Sequence, residues 1–414
     1  MKDPYVLKNE MLASRYDEFK ENGYAGLIKT NDEIVKEIRI FECSEYNIFF
    51  GYYDLPQISN DEKKMLIMKV KKDASTSHDV ASVYYINLDD DSWHFVTNTR
   101  AWCWQQGCRL QWLPGSSKYI CLNNMIYGCY VSEVWDIDTL NMVIRYPYAF
   151  YDIDFEHSIG LGLDFSRLQT MRPGYGYSSV PDKSCSSKAP EIGIYKYNFK
   201  TETYNNIISL ASLAQEVESN ETDFHYINHI CISPNKDKFM FFHLWAKDGI
   251  AMWNMRLMVS DFDGNYQEIE SNEIISHYCW INNNELLVTR IVAENDNSFI
   301  IYNVSTGQKK IIDNSQLVQD GHPVILEDNE HFVVDTYPLE NCIQKLFISS
   351  IKDKDFYLEI MKTFSDPRLY IEYRCDMHPR VHVNSNFISL DSTFSDGVRK
   401  CVLLELKEGV FTYE

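Results

Sequence analysis

Four of the 11 histidines in this 414-residue chain stand at matching places. His229, His277, His322 and His378 each lie three residues before an apolar residue (Ile232, Trp280, Ile325 and Val381) that opens the same local pattern. In that pattern a polar turn follows the apolar residue, then an apolar run, then one polar or charged residue 10 or 11 positions after the start. The pattern occurs seven times, with openings also at Ile58, Trp112 and Ile153. The closing residues are Lys69, Asn123, Asp164, His243, Arg290, Asp335 and Asp391, and the positions three before each opening read Leu55, Arg109, Phe150 and the four histidines. Imidazoles converging with carboxylates and guanidinium groups have two chemical uses. Neutral imidazoles and a carboxylate hold a divalent metal, here Mn²⁺ or Zn²⁺. Alternatively a cation neutralises a substrate carboxylate while a histidine or tyrosine removes the proton alpha to it, which is β-elimination on a uronate. On the second route His322 or His378 is the expected base, with His229 and His277 beside them. Arg380 or Arg109 then holds the carboxylate, because a guanidinium binds it in a bidentate fashion. Tyr52, Tyr53, Asp54, Gln106, Arg172 and Tyr175 complete the expected lining, with Lys69, Asp164, His243, Arg290, Asp335 and Asp391 around the rim.

Such residues share a site only if the repeat is structural. Strand-only repeats of roughly 40–50 residues point to a β-propeller, each repeat being one four-stranded blade. The spacings between openings, 54, 41, 79, 48, 45 and 56 residues, give seven blades. The long third gap holds Arg172 to Tyr177 and the polar stretch Ser178 to Ser187, read as a loop insertion. In a blade the innermost strand begins at the face to which the second strand returns. That brings both sets of residues to one mouth of a central channel. The fold expected is all-β, a seven-bladed propeller over residues 37–414 with a short helical N-terminal arm over 1–36. Within the arm, Leu7, Met11, Leu12, Tyr16 and Phe19 are spaced as on a helix from Leu7 to Lys20. Glu37 to Phe41 is expected to pair with the last blade and join the two ends, with Val410 to Tyr413 as the competing strand.

Composition excludes some partners. A formal charge of −21 opposes nucleic-acid binding, which needs a cationic face. No apolar run reaches the ~18 residues of a membrane span and no secretory leader follows Met1, so the expectation is a cytoplasmic protein with no membrane insertion. Eleven cysteines without C-x-x-C spacing suit reduced thiols packed as small core residues.

Two phrases carry a family likeness. Gly321-His322-Pro323 followed by Asp335-Thr336-Tyr337-Pro338, and Asp376-Met377-His378-Pro379-Arg380 followed by Ser389-Leu390-Asp391-Ser392, resemble the later blades of oligogalacturonate-lyase-like propellers. Those are similar in turn to tricorn and TolB-type repeats. The resemblance implies a seven-bladed propeller, a metal held by histidines and a glutamine, and elimination on short uronate oligosaccharides. It places His322 and His378 among the metal ligands. This chain departs from the pattern where Arg380 replaces a further histidine and Asp376 stands near the position of the expected glutamine. A guanidinium there disfavours a dication by several kcal/mol, on the order of 332/(εr) at ε ~20 and ~4 Å, so a weak or absent metal is expected. The phrases Gly51-Tyr52-Tyr53-Asp54, Trp104 to Trp112 and Arg172 to Tyr177 also resemble uncharacterised cytoplasmic propellers tied to bacterial surface-polysaccharide (capsule) synthesis. Together these imply a lyase acting on an acidic, uronate- or sialate-type sugar, with an anionic oligosaccharide as partner. The alternative is a non-catalytic glycan-binding or assembly propeller, or a transferase, in surface-polysaccharide biosynthesis.

Overall fold

The computed structural model describes residues 4–183, 189, 191–247, 254–291, 298–317, 319–339, 341–382, 386–394 and 396–411. Seven antiparallel sheets follow one another along the chain, and the protein is a seven-bladed β-propeller. The residues form two compact units. One, Met1–Ala74 with Ala81–Asn98 and Ser276–Glu414, carries blades 1, 5, 6 and 7; the other, Ser75–Val80 with Thr99–Ile275, carries blades 2, 3 and 4.

Six of the seven opening residues of the repeat lie on the first strand of their sheet. Trp112 is in Gln111–Trp112, Ile153 in Asp152–Asp154, Ile232 in Asp223–Ile232, Trp280 in Ile275–Asn282, Ile325 in Val324–Ile325 and Val381 in Arg380–His382. Ile58 pairs with Met65 in an isolated bridge. Two-residue periodicity then splits each strand between two neighbours. In blade 6, Phe332 and Val334 pack with Leu287 and Ile301 of blade 5, whereas Val333 packs with Ile388 and Leu390 of blade 7. Every residue of that strand, His331–Asp335, is buried. This two-sided burial explains why the repeat reads as an apolar run rather than as alternation.

The chain ends meet as expected: Val35–Phe41 pairs antiparallel with Lys400–Leu406 as the outermost strand of blade 7. The competing strand, Val410 to Tyr413, falls partly outside the described residues. The N-terminal stretch is less uniform than its helical pattern suggests. Two helices, Pro4–Ser14 and Tyr16–Glu21, are followed by a strand, Ile28–Thr30, which adds a fifth strand to blade 6. Leu12 and Phe19 seat the helices on Ile343 and Phe364 of that blade. The ten described cysteines are free thiols. No described helix is long and apolar enough to cross a membrane.

Candidate functional site

In blade 1 the inner strand is interrupted. Tyr46–Phe49 pairs with one end of Lys64–Lys71 and Ile58 with its other end, so residues 50–57 leave the sheet as an excursion. The excursion carries Tyr52, Tyr53 and half-buried Asp54. The Tyr53 hydroxyl fixes it to blade 5, donating to the Tyr278 carbonyl (2.7 Å) and accepting from the Tyr278 amide (2.9 Å).

Three of the four expected histidines meet against these tyrosines. The ring centroids of His277 and His322 are 4.0 Å apart, and those of His322 and His378 are 4.5 Å apart. Tyr53 lies 5.2 Å from His322, and Tyr52 4.8 Å from His378. All three imidazoles are at most 2% exposed. Two of them have one nitrogen set by a carboxylate. His277 Nδ1 is 2.8 Å from Asp320, whose carboxylate also accepts from Thr289 Oγ1 at 2.6 Å. His322 Nδ1 lies 2.9 Å from both Asp335 oxygens, and Asp335 also accepts from the His322 amide at 2.7 Å. The blade 6 motif needs its glycine: a Cβ at Gly321 would lie 2.1 Å from the Asp335 carbonyl, so any side chain would push His322 off its carboxylate.

These contacts divide the protonation states. Burial lowers His378, and its cationic neighbours lower it further, well below the ordinary imidazole value. His277 is lowered by burial despite the pull of Asp320. Burial also works against protonation of His322, but Asp335 overrides it and holds that imidazole above its ordinary value. The Nε2 atoms of His322 and His378 are buried and have no hydrogen-bond partner. One ring nitrogen from each of these two histidines and an Asp376 carboxylate oxygen lie within 4.8 Å of one another. Asp376 Oδ2 is 3.9 Å from His378 Nε2 and accepts from Arg374 Nε at 2.9 Å. Orphaned buried imidazole nitrogens are costly unless something fills them. Two imidazoles with a carboxylate, one imidazole backed by a further carboxylate, are a donor set that fits a divalent metal.

Arg380 does not serve as the expected carboxylate clamp. It is 1% exposed, and its guanidinium donates to the Gly51 and Tyr52 carbonyls, to Gln57 Oε1 (3.1 Å) and to Asp391 (3.0 Å). Three of its donations hold the base of the Tyr52–Tyr53 excursion, and a fourth meets Asp391, which balances its charge. Burial raises the Asp391 carboxyl while Arg380 opposes the rise. The repulsion argument against a metal therefore loses its free cation.

A second group of expected residues meets in the other unit. The Arg109 guanidinium lies 4.1 Å above the Tyr151 ring and its Nε donates to the Tyr151 carbonyl at 2.8 Å. Tyr151 Oη is 3.2 Å from His229 Nδ1, Tyr175 meets the His229 ring edge-on at 5.7 Å, and Arg172 lies over Tyr175. Gln106 Nε2 donates to Asn228. Arg109, His229 and His378, equivalent positions in three blades, all have left-handed backbones, with φ of 52°, 57° and 46°. At His229 the strand register also shifts between Asn228 and Cys231. Bulges and strained φ values of this kind re-aim side chains and concentrate at functional sites.

The closing residues have mixed roles, and several correct the expected rim. Asp335 and Asp391 reach the site but are spent on His322 and Arg380. Lys69 rests its ammonium 4.2 Å from the Tyr46 ring centroid. Asp164 caps the helix Phe165–Met171, accepting from the Arg167 amide. His243 lies in a buried chain in which Arg256 Nε donates to its Nδ1 and its Nε2 faces His225 Nδ1 at 3.0 Å. Arg290 closes its strand opposite Ser298. Asp320, Thr289 and Tyr151 were not foreseen. Asp320 had a usable signal, standing two residues before His322 in the Gly321-His322-Pro323 motif.

Histidines at the starts of blade inner strands, two with carboxylate partners, place the chain among β-propellers that carry a built polar centre. No family model matches the chain, and no curated protein matches it in sequence. Solved structures do. One is an oligogalacturonate lyase in complex with manganese, 13% identical over 94% of this chain and 100% of that chain, TM-score 0.63. Another is oligogalacturonate lyase from Vibrio parahaemolyticus, 14% identical over 94% and 100%, TM-score 0.59. The tricorn protease is similar over 88% of this chain and 34% of that chain, at 10% identity and TM-score 0.49. At these identities the likeness is one of fold.

Proposed function

We propose that the protein is a carbohydrate-active propeller that cleaves an acidic, uronate-type oligosaccharide by β-elimination, with a divalent metal at the His322–Asp376–His378 cluster. The observation that carries the reading is the pair of buried, unpartnered Nε2 atoms on His322 and His378 beside the Asp376 carboxylate. The fold shared with a manganese-bound oligogalacturonate lyase agrees with it. Bound there, the cation supplies the positive charge that neutralises a substrate carboxylate, the role first expected of Arg380.

The base then moves from His322 or His378 to His277. Its Nδ1–H donates a hydrogen bond to Asp320, which leaves the Nε2 lone pair to take the proton alpha to the sugar carboxylate. Asp320 fixes the tautomer and stabilises the imidazolium that forms. The electron pair released forms the new carbon–carbon double bond as the glycosidic C–O bond at the β-carbon breaks, and the departing oxygen takes a proton from the His277 imidazolium or from water, leaving an unsaturated uronate.

Protein purified without chelator should hold one Mn or Zn per chain. Incubated with uronate oligosaccharides, it should produce the ultraviolet absorbance of an unsaturated product, while sialate oligosaccharides, which carry no proton alpha to the carboxylate, should stay unchanged. His277→Gln should retain the metal and lose the product. Metal-free protein with no product from any of these sugars would refute the proposal, and uronate oligosaccharides bound but unchanged would favour a glycan-binding propeller.

A further inference from the structure

Blade 3 and the residues flanking it line a partly open cavity of about 180 Å³ that has no part in the reading above. Its lining includes Tyr148, Tyr195 and Tyr204, the carboxylates of Asp164 and Glu191, and Ser166, and no lysine, arginine or histidine is among the described residues that line it. The rings form a compact set. Tyr148 and Tyr204 stack at 4.3 Å and 16°, and Tyr195 is tilted by 49° and 39° against them at 5.7 and 5.2 Å. The Tyr195 hydroxyl is held by the Ala149 carbonyl. Gly162 makes room for the Tyr195 ring, since a Cβ there would fall 2.2 Å from it.

Among the described residues, Arg167 acts on both carboxylates, but its guanidinium is turned elsewhere. Arg167 gives its amide to Asp164, but its guanidinium goes to the His225 carbonyl (2.9 Å) and towards Asp182 (3.9 Å). Burial, with Asp182 adding to it, raises the Asp164 carboxyl. Burial also raises the phenols of Tyr195 and Tyr204, and Asp164 adds to both shifts. The described lining therefore carries two carboxylates and no cation, and Arg167, outside the lining, offsets part of their charge. An anionic ligand is repelled there. A cation is favoured by the carboxylates and by the electron-rich ring faces. The volume sets the size: a cavity of about 150 Å³ takes benzene, so a ligand of roughly six to eight heavy atoms fits.

We propose that this cavity binds a small organic ammonium ion, its cationic head set among the Asp164 and Glu191 carboxylates and the Tyr148, Tyr195 and Tyr204 rings. The proposal is independent of the metal cluster, so either can fail alone.

The probe is choline, titrated by NMR or calorimetry into the full chain in amine-free phosphate buffer. Its neutral isostere 3,3-dimethylbutan-1-ol and glucose serve as controls. Choline should bind with a Kd of about 1 mM, a value within reach of so small a ligand, and the isostere at least ~10-fold more weakly. Asp164→Asn should weaken choline binding ~10-fold without unfolding the helix it caps, because asparagine caps a helix as well as aspartate. Tyr204→Leu, at a ring 42% exposed, should weaken it as well. Equal binding of choline and the isostere would overturn the proposal. So would glucose binding more tightly than choline, an Asp164→Asn protein with unchanged affinity, or choline failing to bind at any concentration tested.

Discussion

The Tyr53 hydroxyl satisfies both backbone polar groups of Tyr278, donating to its carbonyl and accepting from its amide. One phenol from blade 1 thereby replaces a strand partner at the residue after His277, and its ring packs against His277 and His322. Tyr53→Phe should keep the ring contacts and strip both hydrogen bonds to the buried Tyr278 backbone. A loss of about 1–3 kcal/mol is expected in urea or thermal unfolding, together with weaker metal binding as His277 and His322 loosen. Unchanged stability would mean that the excursion is held by Arg380 alone.

Metal affinity should depend on a carboxylate that does not touch the metal. Asp335 grips His322 Nδ1 with both oxygens. Asp335→Asn keeps the shape and removes the charge that orients the ring and raises its basicity. Calorimetric titration with Mn²⁺ should show affinity reduced by about 10–100-fold, against near-complete loss for His322→Ala or Asp376→Ala. If Asp335→Asn binds Mn²⁺ like the parent protein, the carboxylate serves only the fold.

Much of this arrangement was legible in the sequence because blade packing imposes it. An apolar residue is needed where each inner strand meets its neighbours, so the openings at Trp112 through Val381 could be found by spacing alone. The closing strand was legible too, because Glu37 to Phe41 alternates like an edge strand and no earlier blade claims it. The histidines at 277, 322 and 378 met because residues at one register of one strand type face one way. The closing residues followed no such rule. A polar residue ending a second strand can turn to its own blade, as Asp335 does, cap a helix, as Asp164 does, or join a buried chain, as His243 does. Nothing in spacing separates these outcomes. Nor could it show that Arg109, His229 and His378 adopt left-handed φ, a conformation that sequence marks clearly only when the residue is glycine.

Arg380 was expected to touch substrate, and its contacts give a different outcome for its removal. Arg380→Ala strands Asp391 as a buried unpaired carboxylate and frees the Gly51 and Tyr52 carbonyls. Breaking a buried pair from one side costs about 3–5 kcal/mol. The variant should therefore appear as poorly folded or strongly destabilised protein, not as a folded enzyme with raised KM. Arg380→Lys should recover little, since three ammonium donors cannot reproduce a planar fork that meets four acceptors. A stable Arg380→Ala protein with weakened sugar binding would restore the clamp role.

Acid sensitivity should trace in part to His382, two residues beyond Arg380 on the same inner strand. Burial, with the Arg380 charge adding to it, lowers this imidazole from 6.5 to about 3, and its Nε2 sits 3.5 Å from Ser389 Oγ. Its folded-state value is depressed, so between 6.5 and about 3 the unfolded chain holds a proton that the folded chain refuses. Stability then rises with pH across that window and levels off above it. On acidification, the loss attributable to His382 should begin near pH 6.5 and accumulate down to about pH 3. His382→Gln, which cannot take the proton, should flatten that part of the stability–pH curve measured by urea midpoint. A His382→Gln profile that falls as steeply as that of the parent protein would assign the acid sensitivity to the carboxylates instead.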